Sequence, residues 1–291
     1  FVGKVRLSGS FMRTHPATPM KQSNLIKVLG RQTKNHVDLV PHEIVTLGPK
    51  AIRNQMKRLR EAGTRFAIVD AVTTRNLMDI GMACENLKLV TGASGAATAL
   101  PRNFRRAGLL GPDSGADKLP SPTGYAAVVA GSCTKATLAQ VAHMKDICPA
   151  YFVDGMKLGG KRDIAKAALD WAKPKLADGP VLIYSSVDAV ALKKIRRKHG
   201  IVKSRKLVEE CLAKISKGLV KAGVGQLILA GSATSGETIK ALKIRSLQIG
   251  PKIDVGVPWT MSLGERPIHL ALKGGSFGDP DFFTRALQTL K

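Results

Sequence analysis

Short runs of apolar residues that lead into small and polar residues recur along this chain. The clearest run is Leu227–Ala230, where four apolar residues predict a buried strand. Residues 231–236 are small or polar, and helical spacing follows at Ile239, Leu242 and Ile244. The stretch therefore predicts a strand, a small-residue loop and the start of a helix.

The same order of patterns occurs elsewhere in the chain. Leu87–Val90 precedes the small residues 91–97, and Ala126–Ala130 precedes the loop 131–134. Repeated units of this kind are typical of parallel sheets with helices packed on them. We therefore predict an α/β fold with two domains, each a largely parallel sheet flanked by helices. Further strands are predicted at Phe1–Leu7, His36–Val40, Ile44–Leu47, Phe66–Val69, Tyr151–Val153, Val181–Tyr184, Leu247–Gly250 and Ile268–Leu272.

Glycine and proline positions predict where elements and domains end. Apolar stripes indicate amphipathic helices at Lys50–Ala62 and Ser204–Ala222, each followed by glycine. Residues 251–259 are turn-rich, and Asp279–Pro280 is typical of the start of a final helix. Proline and glycine concentrate between residues 103 and 123, which indicates a linker. The predicted division is a first domain at 1–112, a linker at 113–124 and a second domain at 125–291.

Composition narrows the class of protein. The 291 residues are 44% hydrophobic but only 4% aromatic, which is typical of a soluble α/β protein. Apolar runs such as Ala126–Ala130 are far shorter than the ~20 residues that span a bilayer. Phe1 is not a start methionine and no signal peptide follows, so we expect the N-terminus to be cut from a longer protein. The four scattered cysteines predict reduced thiols in the cytoplasm, with Cys133 as a small buried residue.

The formal net charge of +25 first indicates nucleic-acid binding, because phosphate backbones attract clustered Lys and Arg. The densest basic run is Lys193–Lys206. Other basic residues are spread over nearly every predicted helix, and no aromatic residues interleave with them to stack on bases. We therefore interpret the charge as a solvated basic surface, with no specific nucleic-acid partner and no membrane partner.

Polar residues at the predicted strand ends are candidates for ligand binding. A helix N-terminus offers free N–H groups and a favourable dipole to phosphate, and Thr234 and Ser235 add hydroxyl donors there. The loop is not a Walker A motif, and a plain strand-to-helix connection explains the same composition. Asp70 and Ser94 fall at strand ends of the first domain, where ligands of such sheets bind. Asp70 is therefore a candidate catalytic base, with an N-cap role as the alternative.

The loop 12–20 contains two prolines that fix its backbone, and Arg13, His15 and Thr18 supply polar groups that could face an anionic ligand. Arg13 suits a bidentate bond to a carboxylate, and His15 suits a sugar hydroxyl or a carboxylate. The loop is either a ligand clamp or a rigid linker.

Several segments together resemble one known family, the four-carbon acid sugar kinases. They occur in the family's order over essentially the whole chain. The segments are Met12–Met20, Gly131–Thr134 with Thr137 and Gln140, Ala230–Gly236, Ile249–Pro251 with Gly256–Trp259, and Leu272–Phe283.

The resemblance implies ATP-dependent phosphorylation of a four-carbon sugar acid, such as a 3-oxo-tetronate, at its terminal hydroxyl group. It implies an N-terminal domain that binds the sugar acid through Arg13, His15, Thr18, Ser94 and Gly95. It also implies a C-terminal domain that binds ATP, with Mg²⁺ held largely by phosphates and water. The implied nucleotide-binding residues are Ser132, Thr134, Gly231, Ser232, Ala233, Thr234, Ser235, Gly236 and Gly275.

This chain departs from the family pattern in places that matter for activity. The family's opening strand, with paired aspartates and a Thr-Gly turn, has no counterpart here, so the first domain is expected to be incomplete. Ala233 and Ser276 stand where family members usually carry Glu and Asn. The alternative to a working kinase is therefore a truncated or degenerate member that binds nucleotide without turnover. Homo-oligomer formation stays open.

Two residues near these segments have alternative interpretations. Lys273 ends a predicted strand, where it would either neutralise a phosphate or be solvated. Trp259 would either stack on a base or pack in the core, and core packing is the more common role.

Overall fold

The computed structural model describes residues 1–2, 4–14, 19–112 and 115–290. Two compact units make up the chain, Phe1–Ser114 (unit 1) and Gly115–Lys291 (unit 2). Both units are mixed α/β, which confirms the predicted fold class. The functions assigned to the two predicted domains, and the linker at 113–124, stay predictions.

Unit 1 is built around a small parallel sheet. Its two strands pair in register from Val37 with Phe66 to Val40 with Val69. The buried core beside this sheet consists of Val40, Val45, Ile52, Leu59 and Ala83. The elements are 3₁₀ turns Leu7–Gly9 and Phe11–Thr14, α1 Leu25–Gly30, β1 Val37–Val40, α2 His42–Thr46, α3 Pro49–Glu61, β2 Phe66–Val69, α4 Thr74–Ala83, α5 Ser94–Ala97 and α6 Leu100–Arg106.

Three strands predicted in unit 1 are wrong. Residues 1–7, of which residue 3 lies outside the described part, contain a single bridge between Val2 and Val5 and lead into a 3₁₀ turn. The run at 44–47 falls in helix α2 and its C-cap residue Leu47, because a short, mostly apolar run fits a buried helix face as well as a strand. Leu87–Val90 forms no strand, and Leu89 is 83% exposed. The described part of unit 1 therefore holds a two-stranded sheet.

Unit 2 contains a seven-stranded sheet in the order β4-β5-β3-β6-β9-β8-β7. The first five of these strands are parallel, and β8 and β7 are antiparallel additions at one edge. The elements are β3 Tyr125–Ala130, α7 Lys135–Lys145, β4 Ala150–Phe152, α8 Ile164–Ala172, a 3₁₀ turn Lys173–Lys175, β5 Val181–Tyr184, α9 Ala189–His199, α10 Ile201–Lys221, β6 Val224–Ala230, α11 Ser232–Ala241, β7 Leu247–Asp254, β8 Val257–Ser262, β9 His269–Lys273 and α12 Phe282–Thr289.

The sheet of unit 2 is buried on both faces, which explains the continuous apolar runs of its central strands. In β6, Leu227 and Leu229 pack in the core on the α8 and α10 side, whereas Ile228 and Ala230 pack in the core on the α7 and α12 side. All four side chains are fully buried. Helices on both faces therefore hold the carboxyl ends of β3, β6 and β9 in fixed positions.

Two boundaries in unit 2 differ from the prediction. The turn-rich segment 251–259 is a β-hairpin, in which β7 continues to Asp254 and β8 begins at Val257. β7 is the edge strand, where Pro251 can be accommodated because one side of the strand needs no N–H donor. The last helix begins at Phe282, with Asp281 at the N-cap position, so Asp279–Pro280 precedes the helix.

Candidate functional site

The segments that follow β3, β6 and β9 meet at the carboxyl edge of the unit 2 sheet. These strands are neighbours in the sheet and run parallel, so they end side by side. We call the segments Gly131–Thr134, Gly231–Gly236 and Gly274–Asp279 the three-loop cluster. They are joined by hydrogen bonds from the Gly231 amide to the Lys273 carbonyl (2.8 Å) and from the Thr134 hydroxyl to the Gly275 carbonyl.

Glycine is required where the loops of the three-loop cluster touch. A Cβ atom at Gly131 would lie 2.2 Å from Thr234 Oγ1, and one at Gly275 would lie 2.1 Å from Ser132 Oγ. Both distances are far below van der Waals contact. Side chains at these two positions would therefore push the loops apart.

The structure changes the predicted loop between β6 and α11. Helix α11 begins at Ser232, so residues 232–236 form its first turns and Gly231 (φ 129°) occupies the N-cap position. The predicted hydroxyl donors Thr234 and Ser235 are buried, and Ser235 Oγ lies 3.5 Å from the Leu229 carbonyl. The groups left at the surface are the first backbone N–H groups of α11 and the exposed Ser232.

The loop Gly274–Asp279 is anchored from inside the protein by two side chains with no measurable exposure. Lys273 Nζ lies 3.0 Å from the Gly274 carbonyl, 3.3 Å from the Gly275 carbonyl and 3.1 Å from the Phe277 carbonyl. Gln140 Nε2 donates to the carbonyls of Phe277, Gly278 and Asp279 at 2.9, 2.9 and 3.1 Å. Five backbone carbonyls of this loop therefore face inward.

Lys273 is fully buried, so the solvated role considered from the sequence is wrong. Its side chain is fully buried beside Thr137 of α7, with Nζ 3.3 Å from Thr137 Oγ1 and 5.8 Å from the Phe282 ring centroid. Burial lowers the pKa of Lys273 to about 8, because an ammonium group loses hydration inside the protein.

Thr137 and Gln140 entered the sequence analysis only as parts of a resemblance. They lie three residues apart on α7, which puts both on one helical face, and both are fully buried. Polar residues at this spacing in the first turns of a helix after a strand are a usable signal. Their target, a loop more than 130 residues later, could not be read from the sequence.

The candidate residues of unit 1 are described one by one. The Arg13 guanidinium lies 3.3 Å from the Ser8 carbonyl and is exposed. Asp70 follows β2 and is half-buried, with its amide donating to the Val40 carbonyl. Asp70 does not cap α4, because Thr73 is the N-cap in a capping box with Asn76. His15 and Thr18 lie outside the described residues.

Ser94 and Gly95 begin the short helix α5. Ser94 is exposed, and a Cβ atom at Gly95 would lie 3.2 Å from Leu77 of α4. Asp70 lies four residues before the start of α4, so these candidates belong to the same part of unit 1. No hydrogen bond among the described residues joins Arg13, Asp70 and Ser94 to one another.

Two other residues, Trp259 and Cys133, have a structural role rather than a ligand-binding one. Trp259 is fully buried, and its Nε1 donates to the Ala286 carbonyl at 3.0 Å, which confirms core packing. Cys133 is half-buried, and burial raises the pKa of its thiol. All four cysteines are free.

No group of three or more His, Cys, Asp or Glu side chains that could hold a metal is found within the described ranges. The donor set of the three-loop cluster is backbone N–H and hydroxyl groups, which suits phosphate oxygens. Within the same ranges, no helix is long and apolar enough to cross a membrane.

Family models match both parts of the chain. A model described as a sugar-binding N-terminal domain matches residues 1–100, and one described as a nucleotide-binding C-terminal domain matches residues 127–283. The second match includes all three loops of the three-loop cluster.

Curated relatives align along the full length of this chain. A 3-oxo-tetronate kinase of Burkholderia multivorans is 43% identical over 290 residues, and one of Cupriavidus necator is 42% identical over 291 residues. The alignments cover 100% of this chain and 68% and 67% of the two relatives. The chain thus spans about two thirds of the length of these relatives.

Solved structures show the same fold. A crystal structure from Salmonella typhimurium LT2 is 32% identical, with a TM-score of 0.82 over 98% of this chain and 67% of that chain. A Haemophilus influenzae protein is also 32% identical, with a TM-score of 0.71 over 100% of this chain and 69% of that chain.

Proposed function

This chain belongs to the four-carbon acid sugar kinase family, and we propose that it is a sugar-acid kinase that transfers the terminal phosphoryl group of ATP to the 4-hydroxyl group of a 3-oxo-tetronate. The observation that carries the proposal is the meeting of three small-residue segments after β3, β6 and β9. The similarity to 3-oxo-tetronate kinases over the full chain supports the substrate class.

The three-loop cluster suits the phosphates of ATP. The N-terminus of the ten-residue helix α11 presents backbone N–H groups with no side chain in front of them at Gly231. Gly274 and Gly275 let a phosphate approach the backbone of the third loop, and Ser132 and Thr134 add hydroxyl groups. Such contacts need no acidic residue, which agrees with the donor set found there.

Phosphoryl transfer depends more on positioning and charge neutralisation than on covalent chemistry by the protein. In our proposal the three-loop cluster fixes the phosphates, and Mg²⁺ bound to them supplies charge neutralisation. Asp70 accepts the proton of the attacking hydroxyl group, and Arg13, His15, Thr18, Ser94 and Gly95 bind the sugar acid. Correct placement of the two reactants contributes up to about 7–11 kcal/mol in well-oriented reactions.

A second candidate function is nucleotide binding without turnover. The observation in its favour is Ala233, which stands in the first turn of α11 where family members usually carry Glu. A methyl group cannot contact a metal ion or a ribose hydroxyl, whereas the backbone donors of α11 are unaffected by this difference.

An ADP-release assay with MgATP and a panel of four-carbon sugar acids tests the proposal. We expect ADP release with a 3-oxo-tetronate, and a loss of at least about tenfold in kcat/KM in Gly275→Ala, because the added methyl group displaces Ser132. Lys252→Met, at an exposed position of edge strand β7, is the matched control and should retain activity.

The outcomes separate the two functions. Release of ADP with none of the acids, together with intact MgATP binding, would support the binding-only alternative. Recovery of turnover in Ala233→Glu would then assign the defect to that position.

A further inference from the structure

The orientation of the peptide groups in the loop Gly274–Asp279 is set by Lys273 and Gln140. In a trans peptide the C=O and N–H bonds point in opposite directions, so an inward carbonyl turns the next amide outward. The inward carbonyls of Gly274 and Gly275 thus turn the N–H groups of residues 275 and 276 outward. Those of Phe277 and Gly278 do the same for residues 278 and 279.

The series of outward N–H groups ends at Pro280, which has none. Within the part of the chain that the structure describes, the amides of residues 275, 276, 278 and 279 donate no hydrogen bond. Successive backbone N–H groups with a common direction form a concave anion site. The loop therefore presents up to four donors to one side and its carbonyls to the two buried side chains on the other.

The loop Gly274–Asp279 lies over a buried ammonium group that has no counter-ion within residues 115–290. Lys273 is fully buried, and no carboxylate of the described residues lies within ion-pair distance of its ammonium group. The groups that face it are Thr137 Oγ1 of α7, the loop carbonyls and the Phe282 ring of α12. Asp279 and Asp281, the acidic residues that follow Lys273 in the chain, are exposed. Burying an ammonium group without a counter-ion costs free energy, so an anion bound to the outer side of the loop would offset that cost.

We propose that Lys273 and Gln140 are positioning residues for the nucleotide: they hold the carbonyls of Gly274–Asp279 so that the amides of this loop receive a phosphate group, and the Lys273 ammonium group supplies the positive charge behind it. This inference rests on the proposed function, since it assigns the phosphates of that nucleotide to a particular loop. It adds residues that do not touch the nucleotide but decide whether the loop can bind it.

The test measures MgADP binding to the full chain by calorimetry at pH 8 in two buffers with different ionisation enthalpies. A phosphate near the ammonium group favours its charged form, so binding should take up a fraction of a proton. Lys273→Met should bind at least about tenfold more weakly and without that proton uptake, whereas the matched surface control Lys252→Met should behave as the unmodified chain.

Gln140→Glu keeps the shape of the side chain but loses its amide donor, and we expect a loss in affinity of about fivefold. This variant, and proton uptake by the unmodified chain, keep the inference testable if Lys273→Met does not fold. A purely structural role for Lys273 would lower stability but leave no proton uptake on binding.

Failure of the inference and failure of the proposed function give different results. Binding of MgADP by the unmodified chain without proton uptake, and with equal affinity in Gln140→Glu, would overturn the inference and leave the nucleotide site in place. No binding of MgADP by the unmodified chain would overturn both.

Discussion

Unit 2 buries its strands on both faces, whereas unit 1 leaves much of its sheet exposed. Leu227 and Ile228 of β6 have no exposed surface, but Phe66 at the start of β2 is 39% exposed. The apolar runs of these two strands look alike in the sequence. The difference shows that an apolar run does not by itself decide how far a strand is buried, because a two-stranded sheet offers few neighbouring strands and helices to cover its side chains.

The same contrast applies to the candidate sites. In unit 2, the Thr134 hydroxyl donates to the Gly275 carbonyl, and the Gly231 amide donates to the carbonyl of Lys273, the residue before the third loop. In unit 1, Asp70 lies before α4 and Ser94 begins the separate helix α5. A site held by a packed sheet is fixed before any ligand arrives, which is why we assign phosphate binding to unit 2.

The largest expected effect is a difference in local stability between the units. Unit 1 should open more readily, because its core is small and Leu89 and Leu109 are exposed. Limited proteolysis followed by mass spectrometry should show cleavage within residues 1–112 about 100-fold faster than within residues 125–290, a difference of about 2.8 kcal/mol in opening free energy. Equal cleavage rates would mean that burial does not distinguish the units.

The strands that the sequence predicts best are the buried strands of unit 2. The sequence predicts Val181–Tyr184 with the bounds that the structure has, because the apolar run is continuous and its first three residues are fully buried. The strand predicted at 44–47 is wrong, because hydrophobic periodicity cannot distinguish a short buried helix from a strand. The sequence pattern does not predict the antiparallel β7–β8 hairpin. Pro251 and Gly256 indicate a turn, and the sequence does not show that β7 is an edge strand in which a proline can be accommodated.

The site was predictable only in part. Small residues after strands marked the three segments of the three-loop cluster. The anchoring of Gly274–Asp279 by Gln140 was not predictable, because that contact joins residues more than 130 positions apart. The burial of Thr234 and Ser235 also could not be read from the sequence, because it depends on where α11 begins and how it packs on α10.

A pair of glycine substitutions should give the next largest effect. Gly131→Ala places a methyl group against Thr234 and should lower the free energy of unfolding of unit 2 by about 1–3 kcal/mol through overpacking. Gly30→Ala in α1 of unit 1 has no atom within 4 Å of the new methyl group and should be neutral or raise stability by up to about 1 kcal/mol. Urea denaturation of both variants measures this, and a neutral Gly131→Ala would show that the loops of the cluster are not in tight contact.

The smallest effect is a pH dependence that belongs to unit 2. Because the pKa of Lys273 is lowered from 10.5 to about 8 in the folded state, the unfolded chain binds more protons in the window between these values. The contribution of Lys273 to stability should therefore rise with pH there, by on the order of 1 kcal/mol between pH 8 and pH 9. The measurement is the difference in unfolding free energy between the unmodified chain and Lys273→Met at both pH values, which cancels the other titrating groups. A difference that falls with increasing pH would have the wrong sign.

Hydrogen exchange of the full chain, with and without saturating MgADP, tests most directly whether the three-loop cluster is the phosphate site. We predict slower exchange of amides in residues 131–137, 231–236 and 274–279, with no change in residues 1–112. The surface cavities lined by Ile201, Arg205 and Glu237 and by Lys157, Arg162 and His199 contain no residue of the cluster and should also be unchanged. Protection confined to either cavity, or no protection of the three loops at saturating nucleotide, would contradict the account.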